Sequence, residues 1–189
     1  LVAVCAIRNG PRRINSSSRM SIQRLPEHIV NKIAAGEVVQ RPASVLKELV
    51  ENSLDAGASS IKVLLKDQGS TLIQVIDNGC GIAEDELTTA FERHATSKLR
   101  AFADLETILT LGFRGEALAS IAAVSRVSVK TRTAGYALGT HGTIEGGRVI
   151  SLEPVATPVG TNFSVKDLFY NVPARRHFLK SASTEFRHC

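Results

Sequence analysis

Apolar residues recur at helical spacing between Pro42 and Gly57. Val45, Leu46, Leu49, Val50 and Leu54 form a stripe that predicts a helix packed on a core. Pro42 suits its first turn, and Gly57 suits the residue just past its end. Glu48, Glu51, Asn52 and Asp55 are spaced i, i+3, i+4 and i+7, so they share the opposite face. Like charges at that spacing destabilise a helix by roughly 0.2–0.5 kcal/mol per pair. Lys47 is the only basic residue inside the helix and reaches Glu51, which leaves Glu48 and Asp55 with no lysine or arginine one turn away. Either this face is solvated or something cationic sits against it.

The pattern on either side predicts the rest of the domain. A short helix over 27–35 starts after Pro26 and ends at Gly36. Alternating runs at Ile61–Leu65 and Leu72–Ile76 predict two antiparallel strands joined through Gln68-Gly69-Ser70. The second strand ends at Asp77, directly before Asn78-Gly79-Cys80-Gly81. A helix over 84–94 follows, with Leu87, Ala90 and Phe91 inward, and then a loop-rich stretch from Ala95 to Arg114 with one short helix near Leu105. A small-residue helix covers 116–124. Strands follow at 127–130, 141–144, 148–152 and 161–165, with Gly146-Gly147 as a hairpin turn. Pro173 begins a last helix. This order predicts an α+β sandwich with helices on one face of a largely antiparallel sheet.

Composition changes this picture little. The chain has 189 residues, 43% hydrophobic and 22% charged, which is ordinary for one globular domain. Cys5, Cys80 and Cys189 lie too far apart for a metal site or a disulfide framework and suggest a reducing, intracellular setting. No apolar run reaches the length of a membrane span. The net charge is +5, but Arg8, Arg12, Arg13 and Arg19 lie in residues 1–19, which hold no acid. Only one net positive charge is left for everything after residue 19, so composition alone gives no argument for a nucleic-acid patch. Residues 1–19 have no sustained periodicity and are expected to be a non-native or disordered leader, with the domain running over 20–189.

Three stretches carry candidate chemistry. Asp77, at a strand end before two glycines, can accept a hydrogen bond from an exocyclic amine such as that of adenine while backbone closes on a flat ligand. Taken alone, the stretch reads better as a plain Asx turn. Gly112-Phe113-Arg114-Gly115 precedes a helix start and is either an anion site or a flexible loop. Thr96, Ser97 and Lys98 offer a cation and two hydroxyls to a phosphate or to solvent. The Walker phosphate loop, the dinucleotide fingerprint and the Gly-x-Ser-x-Gly nucleophile motif are all absent. Together, an acidic helix face with one Asn, a strand-end Asp, a glycine loop and a lysine make a nucleotide site. Mg²⁺ suits it, because that ion prefers few protein oxygens plus water and phosphates.

At this point the residues resemble a known family. Ile33-Ala-Ala-Gly36-Glu-Val-Val39, Arg41-Pro-Ala-Ser-Val45, Glu48 through Gly57, Asp77-Asn-Gly-Cys-Gly81, Arg93-His-Ala-Thr-Ser-Lys98, Gly112-Phe-Arg-Gly-Glu-Ala-Leu118 and Pro173-Ala-Arg-Arg176 are together similar to the N-terminal ATPase domain of the MutL family of DNA mismatch repair proteins, within the GHKL superfamily. The likeness runs from Met20 to about His188. It implies a two-layer α/β sandwich of the Bergerat type, with helices on one face of a mainly antiparallel mixed sheet. It also implies that Glu48 is the general base and Asn52 the protein ligand to Mg²⁺. Asp77 would receive the adenine amino group of ATP, Gly79 and Gly81 would shape the adenine pocket, and Thr161 would lie near the base. Phe113, Arg114 and Gly115 would belong to a lid over the phosphates, with Thr96, Ser97 and Lys98.

The partners implied are a second copy, joined through the N-terminal domain when ATP binds, the mismatch recognition protein MutS, DNA, and a repair nuclease and helicase. The implied setting is the bacterial cytoplasm, at the nucleoid during repair, with no membrane. A second domain, expected to supply a lysine to the terminal phosphate, and a C-terminal dimerisation domain lie outside these residues, so weak hydrolysis is expected of this piece. Two rivals remain at this point: another GHKL ATPase such as a type II topoisomerase subunit, and a truncated nucleotide-binding module that turns nothing over. Arg175 and Arg176 are candidate DNA contacts, although a lone basic pair is more often solvated surface.

Overall fold

A computed structural model describes residues 22–95 and 115–179. Helix α1 spans Glu27–Val38 and α2 Pro42–Asp55. Strands β1 (Ile61–Lys66) and β2 (Leu72–Asp77) follow, then the single turn α3 (Glu84–Leu87). Helix α4 (Ala117–Ala123) leads into β3 (Arg126–Arg132), β4 (Gly139–Glu145), β5 (Arg148–Val155), β6 (Gly160–Lys166) and α5 (Pro173–Phe178). The strands form one sheet in the order β1-β2-β6-β3-β4-β5, and every pairing among the described residues is antiparallel.

The register explains the core. Side chains alternate across a strand, so residues paired across neighbouring strands line up in rows on one face. Ile73, Val165, Val127 and Ile144 make one row, and Val75, Phe163, Val129 and Gly142 make the next. All eight are buried, beneath Val45 and Leu49 of α2 and Ile121 and Ala122 of α4. Full burial of a Val or Leu side chain contributes about 1.5–3 kcal/mol, so this contact holds the helices to the sheet. The opposite face carries polar pairs: Gln74 donates to Asn162 at 2.9 Å, and Ser128 meets His141 at 2.9 Å.

Several expected elements change in detail. Helix α1 does not stop at Gly36 but continues to Val38. The guanidinium of Arg175 lies across Gly36 where a Cβ would sit, so the glycine serves a close approach and not a helix end. The buried stripe of α2 is Pro42, Val45, Leu49 and Ser53, whereas Leu54, expected inside, is 49% exposed. Leu54 lies about 100° round the helix from Ser53 and points away from the sheet. The helix expected over 84–94 breaks after Leu87, and a 3₁₀ turn covers Thr89–Phe91. Thr88 and Thr89 are weak helix formers, and the break lets Phe91 meet Phe163 edge-on at 6.3 Å between ring centres. The short helix expected near Leu105 lies outside the described residues.

Gly160 opens β6 at φ +116°, and a Cβ there would collide with the Asp77 carbonyl oxygen. Strain at such a backbone position and a clash with main chain each cost about 1–3 kcal/mol. Gly160→Ala should therefore lower the urea midpoint of unfolding by an amount equivalent to about 2 kcal/mol or more. An unchanged midpoint would show that the β2–β6 end is not held as described.

Candidate nucleotide site

The two apolar rows of the sheet are followed by a third that is polar. Asp77, Thr161, Thr131 and Thr140 stand side by side on β2, β6, β3 and β4, all on the helix-covered face and all at most 9% exposed. A buried carboxylate is costly unless hydrogen bonds replace its water. Asp77 has three such donors. The Gly79 and Thr161 backbone N–H groups donate to Oδ1 at 2.9 and 3.2 Å, and the Ser53 hydroxyl lies 2.9 Å from Oδ2. The Gly79 bond is the Asx turn expected of Asp-Asn-Gly, so the plain turn and the buried acceptor are the same structure.

Glycines wall this carboxylate closely. A Cβ at Gly79 would press on Ala56, and one at Gly81 (φ +76°) would strike the Arg132 carbonyl. The turn is fastened to the end of α2 by the Cys80 N–H donating to Ala56 O at 3.0 Å. Asn78 holds it from the other side, its Oδ1 accepting from Ser59 and Ser60 N–H at 2.9 Å each. The Thr131 hydroxyl accepts from Ile82 N–H at 2.8 Å and sits 3.3 Å from the Thr161 hydroxyl. These bonds make a preformed polar floor at the sheet end whose acceptor is Asp77.

Helix α2 brings the acidic face to this floor. Ser53 faces Asp77, Asn52 is its neighbour in sequence, and Glu48 lies about one turn before Asn52, about 6 Å along the axis. The Glu48 side chain is 26% exposed. The absence of a cation near Glu48 that the sequence suggests is corrected. Lys47 donates to Glu51 Oε2 at 2.8 Å and stands 3.8 Å from Glu48 Oε1, so one ammonium serves both carboxylates. The Glu51 hydrogen bond holds the Lys47 pKa above its ordinary value, with burial opposing it and the Glu48 and Glu51 charges adding to it. Asn52 has an interaction of its own within the fold.

The glycine-loop candidates fall differently. Thr96, Ser97, Lys98, Phe113 and Arg114 lie outside the described residues. Gly115 (φ +60°) abuts the Ala95 backbone at the start of α4. Beside it Arg93 and His94 both reach Glu116 Oε1, at 3.1 and 3.3 Å, so the two ends of the 96–114 segment are fastened together. Arg175 donates to Val39 O at 3.1 Å and is committed to packing on α1, whereas Arg176 is exposed. Sequence reasoning missed Ser53, Thr131 and Gly160. Ser53 was visible as a hydroxyl on an otherwise apolar stripe; the other two needed the register. Among the described residues no three His, Cys, Asp or Glu side chains cluster as a metal site, and no helix is long and apolar enough to cross a membrane.

Comparison with known proteins agrees with this fold. Residues 40–146 match the model of the histidine kinase-, DNA gyrase B- and HSP90-like ATPases. The DNA mismatch repair protein MutL of Parabacteroides distasonis is 61% identical over 166 residues, 88% of this chain but 27% of that protein. The Aquifex aeolicus MutL ATPase domain complexed with ADP superposes with a TM-score of 0.61 at 36% identity, over 80% of this chain and 52% of that one. The N-terminal domain of a DNA repair protein gives 0.71 at 33% identity, over 85% and 46%. The family match covers more than half of the sequence, so the chain belongs to that ATPase family. It is strongly homologous to the N-terminal region of MutL and spans about a quarter of the curated relatives' length.

Ser53→Ala removes one of the three donors to Asp77. It should cost about 1–3 kcal/mol, read as a shift in the thermal or urea midpoint, because a buried carboxylate oxygen loses its partner. A fully neutral Ser53→Ala would mean that the Ser53–Asp77 bond does not hold the site.

Proposed function

We propose that this member of the ATPase family binds and hydrolyses ATP as the nucleotide-binding part of a MutL-type mismatch repair protein. The observation that carries the proposal is the buried Asp77 acceptor set among glycines at the sheet end. A carboxylate with both oxygens already fixed by donors keeps lone pairs for one more planar donor, which suits the adenine amino group. Gly79 and Gly81 let the turn pack tightly on Ala56 and the Arg132 carbonyl and so shape the wall of the adenine site beside Asp77 and Thr161.

The donor set fits Mg²⁺ as well. Asn52 would bring one hard amide oxygen, and among the described residues no three His, Cys, Asp or Glu side chains form a metal cage beside it, which suits an ion carrying water and phosphate ligands. When bound, Mg²⁺ supplies charge stabilisation at the phosphate oxygens. Glu48, one turn from Asn52 on the same face, takes the proton of the attacking water as general base. Thr96, Ser97, Lys98, Phe113, Arg114 and Gly115 are the residues proposed to meet the phosphates, and all but Gly115 lie outside the described residues. The full protein pairs with a second copy through this domain when ATP binds, works in the cytoplasm on DNA, and signals to MutS, nuclease and helicase.

Glu48→Gln should leave ATP affinity within about threefold and lower single-turnover hydrolysis by at least about 100-fold, the usual worth of a positioned base. Retention of full turnover would remove Glu48 from the reaction. Residues 20–189 alone should turn over slowly, because a cation at the terminal phosphate is expected from beyond these residues. Hydrolysis by this piece at the rate of a longer relative would contradict that part.

A further inference from the structure

The sheet ends in two edge strands, and the chain treats them differently. Strand β5 is guarded: Ile150 is an extra residue between the pairs Thr143–Ser151 and Ile144–Val149, and Pro154 offers no N–H. Bulges and prolines on an edge keep other strands from adding to it. Strand β1 has neither. Its residues pair one to one with β2, and among the described residues nothing pairs with its outer side. The Asp77 carbonyl points at Gly160 on β6, and the Ser60 N–H points inward to Asn78 Oδ1. Backbone groups alternate in direction along an antiparallel strand. Ile61, opposite Asp77, therefore turns its N–H and C=O outward, and Val63 and Leu65 do the same.

Helix α2 overhangs this edge. It lies along β2, with Pro42 against Gly69 at one end and Ser53 bonded to Asp77 at the other. A right-handed helix laid in that direction turns Glu48 and Asn52 toward β6 and turns Leu46, Val50 and Leu54 toward β1. Ile61, Val63 and Leu65 point toward the helix layer beneath that flank. Val63 and Leu54 are exposed and the other four are half-buried, so the shelf they form is apolar and open. The opposite face of β1 carries Lys62 and Lys66, both exposed. Their neighbours across the β1–β2 pair are Ile76 and Leu72, and among the described residues neither lysine makes an ion pair.

We infer that the outer edge of β1 receives an extended segment of a partner protein as an added strand, with aliphatic side chains under α2 and carboxylates opposite the two lysines. The outward backbone groups attach the segment, and its alternate side chains select it. Lys62 and Lys66 stand about 13 Å apart along the strand. A segment therefore meets both only if its carboxylates are also four residues apart. Opposite charges directly across a strand pair stabilise it, and like charges destabilise it. The same lysines thus disfavour a second copy of this chain. Antiparallel pairing of β1 with itself about Leu64 sets Lys62 opposite the copy's Lys66, and pairing about Val63 leaves the lysines on diagonals. The edge lies on the other flank of α2 from Glu48 and Asn52, so the inference stands apart from the ATPase reading.

The test is fluorescence anisotropy of a labelled peptide, Val-Glu-Val-Thr-Val-Glu-Val, with the full 189-residue chain. The peptide reads the same in both directions, so it serves parallel and antiparallel addition alike. The parent chain should bind it saturably, and a peptide with both glutamates replaced by lysine should bind at least about tenfold more weakly. Lys62→Glu combined with Lys66→Glu should reverse that preference. Val63→Pro removes an outward N–H without breaking a β1–β2 bond and should weaken binding at least about tenfold. Leu54→Glu, on the helix flank, should weaken it as well. The urea midpoints of the lysine and leucine variants should match the parent's, which shows an intact fold. The inference is overturned if the two peptides bind alike, if the charge swap leaves the preference as it was, if Val63→Pro binds like the parent, or if the chain binds neither peptide. Self-association of the chain that Val63→Pro abolishes would put a second copy on the edge and overturn it too.

Discussion

A carboxylate buried at the end of a β-strand has to be supplied with donors, and Asp77 takes them from three separate parts of the chain. Ser53 comes from α2, Gly79 from the turn after β2, and Thr161 from β6. Removing water from an ionised group costs several kcal/mol, so these donors cannot drift apart without exposing that cost. The Asp77 side chain thus fixes the mutual position of helix, turn and sheet where a ligand would enter. Gly79 and Gly160 follow from the same constraint, because two of the donors are backbone N–H groups and a Cβ at either glycine would meet Ala56 or the Asp77 carbonyl.

Helix α2 links this anchor to the proposed chemistry. Its buried side contributes Val45 and Leu49 to the core and Ser53 to the carboxylate, and its other side presents Glu48 and Asn52. One rigid element therefore sets the distance between the proposed base-recognising acceptor and the proposed acid–base group. A loop would not hold that distance within the tolerance catalysis requires. Lys47, shared between Glu48 and Glu51, tempers the crowding of negative charge at a surface pair worth about 0.5 kcal/mol.

Much of this was legible in the sequence because it depends on short-range periodicity. Pro42 and Gly57 bound α2, and the alternation of β2 ends at Asp77 as expected. What stayed hidden depends on register or on remote packing. Gly36 looks like a helix end until Arg175 is found lying across it, 139 positions later. Thr131 looks like any strand threonine until β3 is paired with β6 and the hydroxyl falls beside Thr161. Charge behaves in the same way. Composition gave almost no net charge to the domain, yet the sheet gathers lysines on one face and the helices gather acids on the other, a separation that no sum over the chain can reveal.

The central claim is that Asp77 recognises the adenine of a bound nucleotide, and calorimetric titration of ADP into the parent chain and Asp77→Asn tests it most directly. Asparagine keeps the shape but turns an acceptor into a donor facing the adenine amino group. The arrangement predicts a loss of ADP affinity of at least about tenfold, about 1.4 kcal/mol, in line with an unmade buried hydrogen bond, with the fold retained. Unchanged ADP affinity in a folded Asp77→Asn variant would contradict it.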